Sequence, residues 1–282
     1  MSASPLESLA IAETTFRRLG AFLERRIGVV LGADRGYLVR NRLGPVIAAF
    51  GLRDLDSLVL ALERQSAPAL IDAVVDAMTT HETRWFRDRY PFDVLNRHVL
   101  PERWRPQRAL RVWSAACATG QEAYSLAIAL GEYRLAQPAL ADTGYEILGT
   151  DVSPSALCAA ERGVYDGHTG VRGLSPGQRQ RYFERQRDGW VLKPEIRRVV
   201  RFRRFNLLDD PAGLGVFDLV FLRNVLIYFA PATQRAVLDR LVSCLAPGAW
   251  LVLGTAETAT CATGSLLRPC RLGGGVLYRH AG

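Results

Sequence analysis

The sequence predicts an α/β protein in which a small helical domain precedes a doubly wound, nucleoside-binding domain. Three observations carry that reading. An apolar strand at Arg111-Val112-Trp113-Ser114 runs through a turn of small residues, Ala115 to Gly120, directly into a helix. Ala116, Ala118 and Gly120 leave no bulk between backbone and ligand. A second apolar strand, Tyr145-Glu146-Ile147-Leu148-Gly149-Thr150, ends in Asp151, where a doubly wound fold places its ribose-binding acid. No strand pattern precedes residue 80, whereas strands and helices alternate after Leu110. A nucleoside cofactor across two adjacent strand ends is the expected ligand.

The elements follow in order. Phe16, Leu19, Phe22, Leu23, Ile27 and Val30 recur at three- and four-residue steps, the period of one helix face, and Gly32 is expected to end that helix. A second helix is predicted over 34–50, with Tyr37, Leu38, Leu43, Val46 and Ile47 inward and Arg35, Arg40 and Arg42 facing solvent. Shorter helices are predicted over 55–65 and 68–78. Residues 79–108, with Pro91, Pro101 and Pro106, connect this part to the rest. Beyond them, strands are predicted at 110–114, 145–150, 217–222 and 250–254, and helices at 121–132, 154–162 and 231–245. Ser153-Pro154 is a helix start, with serine as N-cap and proline in the first turn. Residues 275–279 read as a final strand returning to the sheet. Strand patterns at 189–192 and 199–202 predict a small antiparallel insertion within about 164–205. The domain division is therefore 1–80, a linker over 81–108, and 109–282.

Composition narrows the class. The chain has 282 residues, 49% hydrophobic and 23% charged, ordinary values for a globular protein. No apolar run approaches a membrane span, and the first residues lack the pattern of a secretion signal, so a cytoplasmic location is expected. Cys117, Cys158, Cys244, Cys261 and Cys270 show no metal-type spacing, and His81, His98, His168 and His280 are scattered. Neither a metal site nor a disulfide framework is expected. The net charge is +8, and Lys193 is the only lysine. A basic surface suits acidic partners, nucleic acid or protein, and the charge alone does not choose.

Four blocks resemble the CheR family of chemotaxis receptor methyltransferases. They are Thr79-Thr80-His81-Glu82-Thr83-Arg84-Trp85-Phe86-Arg87-Asp88; the Val112 to Ser125 junction; Leu148-Gly149-Thr150-Asp151-Val152-Ser153; and Phe217-Asp218-Leu219-Val220-Phe221-Leu222-Arg223-Asn224-Val225-Leu226-Ile227-Tyr228-Phe229. The resemblance covers nearly the whole chain. It implies a helical N-terminal domain followed by a class I S-adenosylmethionine-dependent methyltransferase domain, Rossmann-like, with a small antiparallel β-subdomain insertion. It also implies roles for individual residues. His81 and Thr83 would lie beside S-adenosyl-L-methionine, with Arg87 at the mouth of the site. Glu122 would meet the cofactor's ammonium and Asp151 its ribose hydroxyls. Asn206 and Leu207 would frame the adenine. Leu222, Arg223 and Asn224 would end the next strand at the cofactor, and Tyr228 would project toward the transferred methyl.

Two departures from the family pattern stand out. His81 occupies a position where the family usually has asparagine. The stretch 181–190 runs directly into a strand, without the glycine-containing loop with which some members dock a receptor-tethered peptide, so a tether is not expected.

Each site residue also has a plainer reading. Asp151 suits capping of the helix at Pro154, and Glu122 suits the first turn of a helix. Arg84 and Arg87 suit a solvated linker, and Tyr228 suits a core aromatic. Asn224 suits fixing of loop backbone, and Cys117 reads as a small packing residue. The expected activity is protein-glutamate O-methylation on cytoplasmic helices of chemoreceptors by a monomer, yielding S-adenosyl-L-homocysteine, with no nucleic-acid partner. Arg87 and Tyr228 are the expected catalytic residues. Methylation of RNA or a small molecule, and a non-catalytic module that binds cofactor or receptor, are the alternatives.

Overall fold

Among the described residues, four helices form the body of the N-terminal unit. In the computed structural model, residues 11–65, 67–167, 170–187, 189–259 and 266–282 are described. His168 and Cys261 lie outside them. Helix α1 (Glu13–Ile27) buries Leu19, Phe22, Leu23 and Ile27, as its spacing predicts. It stops at Gly28 rather than Gly32: Gly28 takes φ 77° and donates its N–H to Glu24 O, a left-handed cap open to glycine. Helix α2 (Gly36–Ala49) buries Val39, Leu43 and Ile47. The expected phase is corrected at its start, because the four-residue row through Leu43 and Ile47 leads back to Val39 and leaves Tyr37 70% exposed. Helix α3 (Leu55–Glu63) begins with a reciprocal Asp54–Ser57 capping box. Helix α4 (Pro68–Met78) has proline in its first turn.

Arg42 is not a free surface charge. Its guanidinium donates to the carbonyls of Ala77, Met78 and Thr79 at distances of 3.4, 3.3 and 3.1 Å. Those groups end α4, where helix carbonyls lack partners and a cation is favoured. Residues Tyr228–Ala230 group with this unit. There Val29 and Phe229 form an antiparallel bridge, and Val30 N–H donates to Tyr228 O.

The second unit comprises His81–Ile227 and Pro231–Gly282. Its first stretch is helical core and not an extended connector. Helix α5 (Tyr90–Val94), a π turn at Leu95–Val99 and helix α6 (Leu100–Arg103) follow one another. Phe92, Leu95, Leu100 and Trp104 from this stretch share a core with Val112, Leu126 and Leu219. Strand β1 (Leu110–Ala115), helix α7 (Gln121–Leu135), strand β2 (Tyr145–Asp151) and helix α8 (Pro154–Arg162) form the first strand-helix repeat. Strand β3 (Val164–Tyr165), helix α9 (Pro176–Tyr182), strands β4 (Phe183–Gln186) and β5 (Gly189–Leu192), and helix α10 (Pro194–Arg197) come next. Strands β6 (Val200–Arg204) and β7 (Phe217–Leu222), helix α11 (Pro231–Val242), and strands β8 (Leu245–Leu253), β9 (Leu267–Leu272) and β10 (Gly275–His280) complete it.

The main sheet has the order β6-β2-β1-β7-β8-β10-β9. Its first five strands are parallel, and β10 runs antiparallel to both β8 and β9. All six residues of β7 are buried, and all but Asp218 are apolar, as expected of a parallel strand covered on both faces. The insertion sheet, order β3-β5-β4, is antiparallel as expected, but its membership is corrected. The strand pattern at 199–202 belongs to β6, which pairs parallel with β2 at the edge of the main sheet. Gln186 at the end of β4 pairs with Gly189 at the start of β5. Among the described residues, no helix is long and apolar enough to cross a membrane.

At the amino ends of the strands, Asp218 on β7 ties the helical stretch to the sheet. It accepts from Arg103 and Arg108, each at 2.7 Å, and from the Arg111 N–H at 3.1 Å. Only 2% of Asp218 is exposed, so its loss would leave the Arg103 charge with no counterion. Asp218→Ala should lower stability by about 3 kcal/mol in urea unfolding. Hydrogen exchange at the opposite strand ends should be unchanged; an undiminished urea midpoint would refute the assignment.

Candidate active site

The carboxyl ends of β2, β1 and β7 lie side by side, with Ala115 opposite both Thr150 and Leu222. Chain leaves β1 toward β2 on one side, and β7 lies on the other, the crevice in which open α/β sheets place ligands. The turn after β1 is built from residues with positive φ: Ala116 at 61°, Ala118 at 49° and Gly120 at 92°. Gly120 is required twice over. Its φ favours glycine, and a Cβ there would lie 2.9 Å from the Ala160 Cβ on α8. Cys117 N–H bonds to Thr150 O, so the turn folds over the end of β2.

Asp151 closes that turn. One carboxylate oxygen accepts from the Ala118 N–H at 2.9 Å and the other from the Ser153 N–H at 3.0 Å. Capping of α8 falls instead to Ser153, whose hydroxyl accepts from the Ala156 N–H. Burial pushes the Asp151 carboxyl above its usual range, against the pull of those amides.

Glu122 stands in the first turn of α7. The Ser114 hydroxyl donates to it at 2.7 Å and the Arg223 guanidinium at 3.1 Å. Burial raises its carboxyl as well, opposed chiefly by the Arg223 charge. The Arg223 side chain is only 1% exposed and also reaches Asp88, at 2.6 Å. Its second amino group donates further to Arg87 O. Asp88 in turn accepts from Arg84, which is thereby part of the cluster. Ser114, Glu122, Arg223, Asp88 and Arg84 thus form one chain of polar contacts.

The block around Arg87 is anchored from below by Trp85. Its indole N–H donates to Gly170 O at 2.8 Å, and its ring packs edge-on against Tyr165 and Phe183. Phe86 N–H donates to the Ser125 hydroxyl on α7. Phe86, Asp88 and Arg89 all have positive φ, a sharply turned backbone that places Arg87 above the cluster. The Arg87 guanidinium donates to Glu82 O and lies close enough to Glu122 to favour its ionised form. His81 and Thr83 are half-buried just upstream.

The remaining predicted residues are placed as follows. Asn206 and Leu207 lie in the turn after β6, where the Asn206 side chain accepts from Leu208 N–H. Phe205 N–H bonds to Asp151 O, which holds this turn beside the end of β2. Leu222 is buried at the end of β7. Asn224 follows with φ 59°, and its side-chain oxygen is buried without a hydrogen-bond partner. Tyr228 groups with the helical unit. Cys117 is enclosed, and burial pushes its thiol well up. Asp88 and Glu257 were missed by the sequence reading. Glu257 accepts from the backbone of Asn224, Val225 and Gly254, partners that no local motif announces.

The donor set fits an amino-acid nucleoside. Two buried carboxylates with raised pKa await a cation or hydroxyl donors, and the Asn224 oxygen is an acceptor with no donor. The turn is built from the small residues Ala116, Ala118 and Gly120 and offers no cradle of glycines for a pyrophosphate.

Comparison with known proteins agrees with this geometry. Residues 14–79 match the model of the CheR methyltransferase all-alpha domain, and residues 81–266 that of the CheR methyltransferase SAM binding domain. The chain is 46% identical over 252 residues to chemotaxis protein methyltransferase 1 of Pseudomonas aeruginosa, covering 88% of this chain and 92% of that one. It is 41% identical to the chemotaxis protein methyltransferase of Vibrio parahaemolyticus, covering 97% and 99%. With the Escherichia coli chemotaxis protein methyltransferase it shares 33% identity, covering 89% and 86%. Matched along both its helical and its α/β parts, the chain belongs to the CheR family of chemotaxis methyltransferases, with a domain that binds S-adenosylmethionine.

Proposed function

We propose that this protein is a cytoplasmic protein-glutamate O-methyltransferase that esterifies glutamates on the helices of chemoreceptors. The observation that carries this is the placement of Glu122, in the first turn of the helix after β1, and Asp151, at the end of β2, with the Arg87 block bonded to the same Arg223 that holds Glu122. S-adenosylmethionine supplies an electrophilic methyl on its sulfonium. The acceptor carboxylate, with a reference pKa of about 4.3, is already ionised at neutral pH, so no general base is required.

The protein's part is then alignment, which is worth roughly 7–11 kcal/mol when reacting groups are held in line. Glu122 would pair with the ammonium and Asp151 with the ribose diol. Asn206 and Leu207 would flank the base, with His81, Thr83, Leu222 and Asn224 completing the cofactor contacts. Arg223 would act mainly through Glu122, because its guanidinium is already engaged by two carboxylates. Arg87 would orient the substrate carboxylate. A tight bidentate grip would occupy the attacking lone pairs, so a single directing contact serves better. We assign Tyr228 to positioning of the methyl or the acceptor.

The division 1–80, 81–108 and 109–282 serves this scheme, with the middle segment supplying Arg87. Arg35 and Arg40 on α2 are the cations proposed to meet acidic receptor helices. Arg42, engaged at the end of α4, is withdrawn from that role. Gln186 pairs with Gly189, so only two residues separate β4 from β5, which supports methylation without a docked tether peptide.

The direct test is incubation with methyl-labelled cofactor and receptor-bearing membranes, followed by scoring of base-labile label on protein. Label on RNA, or binding with no label, would overturn the proposal. Arg87→Ala should lose most methyl transfer and keep cofactor affinity within a few-fold by calorimetry; an equal loss of both would move Arg87 from substrate to cofactor. Arg35→Glu with Arg40→Glu should slow receptor methylation by about tenfold and leave cofactor affinity alone. An unchanged rate would remove α2 from the docking surface.

Glu122 also sets an expected pH dependence. Pairing with an ammonium favours the ionised carboxylate, so binding lowers a pKa that burial has raised above 4.5 in the free protein. Above both values no proton moves and affinity is flat. Below the raised value the free protein holds a proton that binding must expel, and affinity falls by up to about tenfold per pH unit. Glu122→Gln should bind more weakly at neutral pH and lose its part of this acid limb; a wild-type acid limb in the variant would assign the titration elsewhere.

A further inference from the structure

The loop after β7 carries Arg223 and Asn224, yet it has no regular ladder of its own to hold it. Its backbone groups converge on one side chain from another part of the chain, Glu257, which follows β8. One Glu257 oxygen accepts from Asn224 N–H at 2.8 Å and Gly254 N–H at 2.7 Å. The other accepts from Val225 N–H at 2.8 Å and Ile227 N–H at 3.4 Å. Glu257 is 8% exposed. Four backbone donors therefore meet one carboxylate away from bulk water, and only an ionised carboxylate offers acceptors in all four directions.

The surroundings are shaped for this contact. A Cβ on Gly254 would lie 2.6 Å from the Glu257 oxygen and 3.0 Å from Asn224 N, so the position admits glycine alone without displacement. Asn224 is held with φ 59°, a conformation whose persistence depends on what fixes its neighbours. Fixing the Asn224 and Val225 amides sets where the chain leaves Arg223, whose guanidinium must reach Glu122 at 3.1 Å and Asp88 at 2.6 Å.

We infer that Glu257 is a positioning residue for the cofactor site: it holds the Arg223–Asn224 backbone in its binding geometry before the cofactor arrives. This rests on the reading that Arg223 and Asn224 belong to that site, but not on which carboxylate or other acceptor receives the methyl. Glu257 itself touches no reacting atom in this scheme.

Glu257→Gln keeps the shape and replaces one acceptor with an amino group that faces two donors. Hydrogen exchange on the full chain without cofactor should show faster exchange across 224–227, with the β1, β2 and β7 amides unchanged. Calorimetry with S-adenosylhomocysteine should show about tenfold weaker binding, the scale of losing one or two charged hydrogen bonds from a preorganised site. In turnover the loss should fall on the cofactor KM more than on kcat. Gly254→Ala, which changes no charge but pushes the carboxylate aside, should reproduce the pattern. Wild-type exchange and affinity in Glu257→Gln would overturn the inference. So would a loss spread evenly over the sheet amides and confined to kcat, the mark of a smaller folded fraction. Because exchange and calorimetry need no methyl acceptor, they stand or fall separately from the proposed receptor substrate.

Discussion

A guanidinium removed from water is the constraint on which the site depends. Arg223 cannot shed its charge, and enclosing it without counterions would cost several kcal/mol, a large share of a typical protein's stability. It therefore recruits Glu122 from α7 and Asp88 from the Arg87 block, and binds the Arg87 carbonyl besides. Those contacts join three parts of the chain that are far apart in sequence. They also restrict rotation of Glu122 and set the backbone of Arg87. The remaining imbalance falls on the two carboxylates, whose raised pKa values record incomplete solvation. A site in that condition gains from a ligand that brings an ammonium and hydroxyl donors.

The sheet explains why these groups meet. Parallel strands need long crossovers, so β1, β2 and β7 come together only through the helices between them. Their carboxyl ends are the one place where a turn, an acid and a buried cation can be drawn from separate segments. Asp151 joins two of these segments directly, because it is the last residue of β2 and accepts from the turn after β1. The aromatic anchor at Trp85 does the same for the Arg87 block, using Tyr165 and Phe183 from the small sheet. The insertion is thus part of the site's support.

Much of this was legible in the sequence where the signal is local. The buried parallel strand β7 is apolar at every position but Asp218, and Ser153-Pro154 announces α8 by cap and first turn together. The small residues before Gln121 announce a close backbone approach. What could not be read is whatever depends on distant partners. Residues 199–202 look like a strand, but nothing in them says whether they pair with β5 or with β2. Arg42 looks like a solvent-facing helix charge until the end of α4 comes beside it. Tyr37 was misphased because an aromatic near a helix start fits two faces equally well on paper. Glu257 was silent for a deeper reason: its partners are main-chain amides, which are chemically the same at nearly every residue.

Cys117 has a further consequence. S-adenosylmethionine is an alkylating agent, and sulfur is the most nucleophilic atom that a side chain can present. The turn assigned to the cofactor nevertheless has a thiol at its centre. Only the thiolate attacks readily, and enclosure favours the neutral thiol of Cys117, whose sulfur lies toward Gly149 and donates to Ala118 O. A methyltransferase thereby carries a sulfur within its assigned cofactor turn in the form that is slow to take a methyl.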